Sequence, residues 1–83
     1  MAIKDEIEAR LRAAFMVGEL HVLNESHRHA GHGGDDGSGE SHFAVRIRAP
    51  ELAAMGRLAR HRAVQAALGD INTRVHALAL DIG

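Results

Sequence analysis

The chain has 83 residues and a formal net charge of −1 with its seven histidines neutral, so nothing in the overall balance draws it to nucleic acid or anionic lipid. This length makes one domain, which buries only about 60–65% of the surface its unfolded chain exposes; without Trp or Tyr and with two Phe, its core must be Leu, Ile, Val and Ala. The absence of cysteine excludes disulfides, a self-contained thiolate cluster and a Cys-type zinc site, so a metal bound by this chain alone has His, Asp or Glu as ligands.

Lys4, Asp5 and Glu6 break any signal-peptide core at the start, and the longest apolar runs fall far short of the ~20 residues of a membrane span. The expectation is a soluble, cytoplasmic protein, or one of an organelle matrix if the source is eukaryotic, that does not enter the membrane. Residues 3–15 predict an amphipathic helix: Ile3, Ile7, Leu11 and Phe15 recur every fourth position, with Ala14 beside them. Glu6–Arg10 and Glu8–Arg12 are favourably oriented i,i+4 pairs, and the acids precede the arginines as the helix dipole prefers. Residues 19–25 are short and rich in branched side chains, which predicts a strand. Residues 26–41 then hold five of the nine glycines, three histidines (His27, His29, His32) and the Asp35–Asp36 pair, a composition that predicts a flexible Gly/His-rich surface loop.

Residues 42–48 alternate. Phe43, Val45 and Ile47 face one side; His42, Ala44, Arg46 and Arg48 face the other, which is a strand with one wet face. His21 and His42 are therefore expected on the polar face of the sheet. Pro50 stops the strand and opens a helical turn at Glu51–Ala54. From Gly56 to Gly69 the pattern is helical, with Leu58, His61, Val64 (or Gln65) and Leu68 assigned to the buried stripe and Gly69 to the C-cap. On that stripe His61 reads as a helix–sheet packing residue. Residues 74–82 predict a last strand with His76, Leu78, Leu80 and Ile82 on one face.

The element order is αββααβ, an α+β fold. The first two strands can pair antiparallel across the loop, and the helical crossover between the second and third is the connection a parallel pair requires. The result is a three-stranded mixed sheet with the helices packed on one face. Parallel pairing brings the N-terminal ends of the last two strands to one edge, where His76 and the loop histidines are expected to converge.

Four segments, taken together, resemble the BolA family: Asn24 to His32, Glu40-Ser41-His42-Phe43, Arg60-His61-Arg62 and Val75-His76-Ala77-Leu78. They occur in the family's order and spacing over nearly the whole chain, apart from a longer Gly/Asp insertion at 33–39. The segment Ala49-Pro50-Glu51-Leu52-Ala53-Ala54 departs from the family, which usually has Ser, then Phe and Gly; Leu52 in place of the aromatic should keep the packing. The resemblance implies a single domain over 1–83, similar to class II KH domains, that pairs with a monothiol glutaredoxin and shares a [2Fe–2S] cluster. The partner would supply a thiolate and a bound glutathione; this chain would supply His76 and a loop histidine. His29 sits at the family's spacing after Ser26, while His32 and His27 remain open alternatives. No cofactor is expected in the isolated chain, although a partner-free histidine-loop metal site is a further reading. Some family members have been regarded as transcriptional regulators of stress response and cell morphology, so DNA is the alternative partner, with Arg57, Arg60 and Arg62 as candidate contacts.

The DNA reading lacks two features of nucleic-acid-binding KH domains. The helix–helix junction Ala53-Ala54-Met55-Gly56 has no GxxG clamp, and no aromatic stacking platform exists; Gly31-His32-Gly33-Gly34 fits the letters in the wrong loop. No enzyme constellation is visible either. Ser26, Ser38 and Ser41 lack a strand-to-helix elbow, and the aspartate pair lies where acid–base groups could not be held rigidly.

Overall fold

A computed structural model describes residues 2–26 and 41–83. Residues 27–40, and with them His27, His29, His32 and the Asp35–Asp36 pair, lie outside the described residues. Seven elements follow in order: α1 (Ile3–Ala14), β1 (Glu19–Asn24), β2 (His42–Arg48), α2 (Pro50–Ala53), α3 (Arg57–Leu68), α4 (Ile71–Arg74) and β3 (Ala77–Ile82). The sheet order is β1-β2-β3, with β1 antiparallel and β3 parallel to the central β2, as the crossover requires.

The register builds the core row by row. Leu20, Ile47 and Ile82 lie across the three strands, then Val22, Val45 and Leu80, then Asn24, Phe43 and Leu78. Phe43, Val45 and Ile47 of the central strand are buried, and the apolar members of the edge strands pack against them. The helices cover this face with Ile3, Ile7 and Leu11 of α1, Leu52 of α2, Val64 and Leu68 of α3 and Ile71 of α4. The opposite rows, such as His21–Arg46–Asp81, are solvated. Leu52 is fully buried, so it packs into the core as expected. Among the described residues no helix is long and apolar enough to cross a membrane.

In the framework around the sheet, the structure corrects several sequence expectations. Ala14 is exposed, and only Ile3, Ile7 and Leu11 of the α1 stripe are buried, with Phe15 packed partly against them. The last strand begins at Ala77 instead of residue 74, because Ile71–Arg74 form a single helical turn and Val75 is buried beside it. In α3, Leu58 and His61 are exposed; the buried face runs through Val64 and Leu68, with Ala63 and Ala67 flanking. His61 is therefore not a packing residue. Finally, Ser26 and Ser41 are buried parts of the framework and do not belong to a surface loop.

Gly69 ends α3 with φ +56° and ψ −123°, a backbone region that L side chains avoid, while its N–H donates to Gln65 O at 3.0 Å. That turn sets α4 against α1, where four charges lock the corner. Arg10 donates to Leu68 O and to Asp70, both at 2.6 Å. Arg74 holds Glu6 through its two terminal guanidinium nitrogens, at 2.9 and 2.8 Å, and reaches Asp70 at 3.3 Å. The expected Glu6–Arg10 pair is present at 3.6 Å.

The hydrogen bond from Arg74 holds the Glu6 carboxyl below its ordinary value of 4.5, and that from Arg10 holds Asp70 below 3.8. A carboxyl whose folded pKa is depressed adds stability above its unfolded pKa and loses it as pH falls through the folded value. The stabilisation is therefore complete above about pH 4.5 and drains below it. Urea midpoints measured from pH 6 downward should fall in acid. In the Glu6→Gln/Asp70→Asn double variant the midpoint should be lower at pH 6 and fall less in acid, and added salt should narrow the gap between the two proteins because the groups are accessible to solvent.

Candidate functional site

The parallel pairing places the starts of β2 and β3 side by side, with His42 opposite Ala77. The backbone there is closed by one carbonyl: Ser41 O accepts from the N–H of His76 at 2.9 Å and of Ala77 at 3.1 Å. His76 is thus anchored at the mouth of β3 while its side chain is exposed. An exposed imidazole on a fixed backbone can offer a nitrogen to a metal or to a partner surface.

The other side of the mouth is a polar clamp between the end of β1 and the start of β2. Asn24 Oδ1 accepts from Ser26 N–H at 3.0 Å, and Glu25 N–H donates to His42 O at 2.8 Å. The Ser26 hydroxyl oxygen accepts two backbone N–H groups, from Ser41 at 2.8 Å and His42 at 3.1 Å, and the hydroxyl reaches back to His42 O at 3.4 Å. Small hydroxyl side chains suit this place because they fit against the backbone and satisfy donors that burial removes from water.

His42 keeps its place on the face opposite that of Phe43 but departs from the expected solvent exposure. It is only 6% exposed, its Nδ1 lies 2.8 Å from Ser41 Oγ, and its ring centroid is 5.3 Å from that of His76 with the planes tilted by 50°. Alternation predicts exposure correctly along the middle of β2 but not at its first residue, where the clamp and the His76 ring meet the strand end. His21 is exposed as expected, 3.2 Å from Glu19. The site residue that sequence reasoning missed is therefore His42, together with the two serines that hold it. A signal existed: parallel register with residue 77 puts residue 42 one position from His76.

Of the predicted metal ligands, the structure places His76; His29 and His32 lie outside the described residues. Among the described residues no group of three or more His, Asp or Glu is arranged to hold a metal ion, so a centre bound at His76 would take further ligands from elsewhere.

The three arginines have unequal surroundings. Arg60 turns back onto Met55 O, at 2.8 Å from Nη2, and onto Ile82 O at 3.2 Å, joining α3 to the end of β3. Arg57 and Arg62 are exposed. Arg57, Arg60 and His61 line one side of an open cleft of about 340 Å³, with Leu80, Asp81 and Ile82 opposite.

The α+β architecture agrees with what comparison with known proteins finds. The family model for BolA-like proteins matches residues 11–82. The chain is 41% identical over 81 residues to the DNA-binding transcriptional regulator BolA of Escherichia coli (strain K12), covering 96% of this chain and 73% of that one. Its fold is similar to BolA1 from Arabidopsis thaliana, with TM-score 0.79 and 30% identity over 95% of this chain and 87% of the other. It is equally similar to the BolA domain of SufE1 from the same plant, at TM-score 0.78 and 29% identity over 95% and 87%. The chain belongs to the BolA-like family.

Proposed function

We infer that this chain is a non-enzymatic cytoplasmic adaptor that pairs with a monothiol glutaredoxin and co-ligates a shared [2Fe–2S] cluster, serving iron–sulfur trafficking or iron regulation. The observation that carries this reading is an exposed imidazole, His76, fixed by its backbone at the mouth of a parallel strand pair in a chain without cysteine. The donor chemistry fits: a neutral imidazole is a competent iron ligand, and thiolates must come from a partner. The cluster would supply electron storage or a transferable iron–sulfur unit. His76 would hold it from this side, with His29 or His32 as the second histidine.

The test is to mix the chain with a monothiol glutaredoxin and glutathione, reconstitute with iron and sulfide, and record visible absorption and circular dichroism. A heterodimer with a visible dichroic signature is expected. In the His76→Ala variant that signature should change and the cluster should be lost to a chelator more than tenfold faster. A variant indistinguishable from wild type would overturn the ligand assignment.

The second reading, a DNA-binding regulator, is favoured by the name of the Escherichia coli relative and by exposed Arg57 and Arg62. It would require a salt-dependent gel shift on duplex DNA that is lost when both arginines are replaced. Arg60 is unsuited to that test, since replacing it also frees the carbonyls it holds.

A further inference from the structure

We propose that His42 is a positioning residue for His76: its buried ring sets the direction in which the His76 imidazole presents its nitrogen. This rests on the cluster-sharing reading above. Three observations carry it.

First, His42 is held at every level. Its N–H donates to Ser26 Oγ at 3.1 Å, its carbonyl accepts from Glu25 N–H at 2.8 Å, and its Nδ1 is 2.8 Å from Ser41 Oγ. In a residue only 6% exposed, a ring held by that contact cannot turn freely, so it is a fixed wall. Second, His76 is exposed, so its own surroundings leave its ring torsions open, and the 5.3 Å contact with His42 is its one ring–ring contact among the described residues. A tilted packing of two rings at this separation biases the mobile one toward the orientation that keeps the contact. Third, both residues are referred to the same group. Ser41 places its hydroxyl oxygen 2.8 Å from His42 Nδ1, and its carbonyl accepts from the His76 and Ala77 N–H groups. The wall and the ligand therefore share one rigid support, which is what a preorganised ligand needs.

The test uses the reconstituted complex with a monothiol glutaredoxin and the chain alone. In the complex, His42→Ala and His42→Leu should still assemble a cluster but with altered visible circular dichroism, a shifted reduction potential and roughly tenfold faster loss to a chelator. His42→Phe, which keeps a flat ring, should recover most of the wild-type behaviour. Wild-type dichroism, potential and chelation rate in a folded His42→Ala or His42→Leu protein would overturn the proposal. In the cluster-free wild-type chain, NMR should show nuclear Overhauser contacts between the two imidazoles and a single His76 side-chain rotamer; a rotamer-averaged His76 would overturn it even if the variants do not fold. His76→Ala, run alongside, separates the two claims. If it leaves the cluster spectrum unchanged, the cluster reading fails; if it alters the spectrum while the His42 variants do not, only the positioning role fails.

Discussion

Leu68→Ala is expected to cost about 2–5 kcal/mol, whereas Leu58→Ala, the same chemical change in the same helix, should stay within about 0.5 kcal/mol. Leu68 is fully buried under the sheet and Leu58 is 63% exposed. Deleting the Leu68 side chain removes its transfer free energy and leaves a cavity that the facing strands can only partly close; deleting that of Leu58 removes contacts mostly with water. A domain of 83 residues has a total stability of roughly 4–12 kcal/mol, so the first change consumes a large fraction of it. Urea unfolding followed by far-ultraviolet circular dichroism checks this. At roughly 1–2 kcal/mol per molar for a chain this small, the Leu68→Ala midpoint should drop by at least about 1 M, and that of Leu58→Ala should barely move. Equal losses in both variants would mean that α3 packs with a different face inward.

The exposure of Leu58 is also the clearest instance of what the sequence hides. A stripe spaced mainly by three residues slips by roughly 60° per step on a helix that turns about 100° per residue. Leu58 therefore lies roughly 120° away from Val64, the fully buried residue that anchors the packed face, and Arg60 occupies the inward side of the first turn with its guanidinium on Met55 O and Ile82 O. An arginine whose stem packs while its head bonds carbonyls looks like surface in a hydropathy pattern. The helical turn Ile71–Arg74 was illegible for a related reason: four residues carry no periodicity, and its long-range partners, Glu6 among them, come from the far end of the chain. By contrast the bounds of β2 were legible to the residue, because alternation over seven positions ends in a proline. The parallel pairing with β3 was legible because a helical crossover leaves few alternatives. From that pairing the place of His76 at the sheet edge could be read. The burial of His42 could not, since it depends on hydroxyls at the two ends of a long connection meeting over one strand end.

Those hydroxyls carry the second large effect. Ser26→Ala should destabilise the chain by roughly 2–6 kcal/mol, although it removes one oxygen atom. That oxygen is the acceptor for the backbone N–H groups of Ser41 and His42, at 2.8 and 3.1 Å, in a place where Ser26 is 3% and Ser41 0% exposed. Each buried donor left unpaired costs about 1–3 kcal/mol, because it forfeits its bond to water on folding and gains none in return. Chemical denaturation reads the total, and amide hydrogen exchange reads the location: the Ser41 and His42 amides should exchange faster in the variant by more than global destabilisation explains. Ser26→Thr keeps the acceptor and should lose less, the added methyl costing only its crowding. Since Ser41 O holds the His76 N–H and Ser41 Oγ lies against the His42 ring, loosening Ser41 should also disorder the pair of imidazoles. If Ser26→Ala left the His76 ring signals unchanged while lowering stability, the clamp would serve the fold alone; coupled changes in both would tie the stability of the strand ends to the geometry of the candidate ligand.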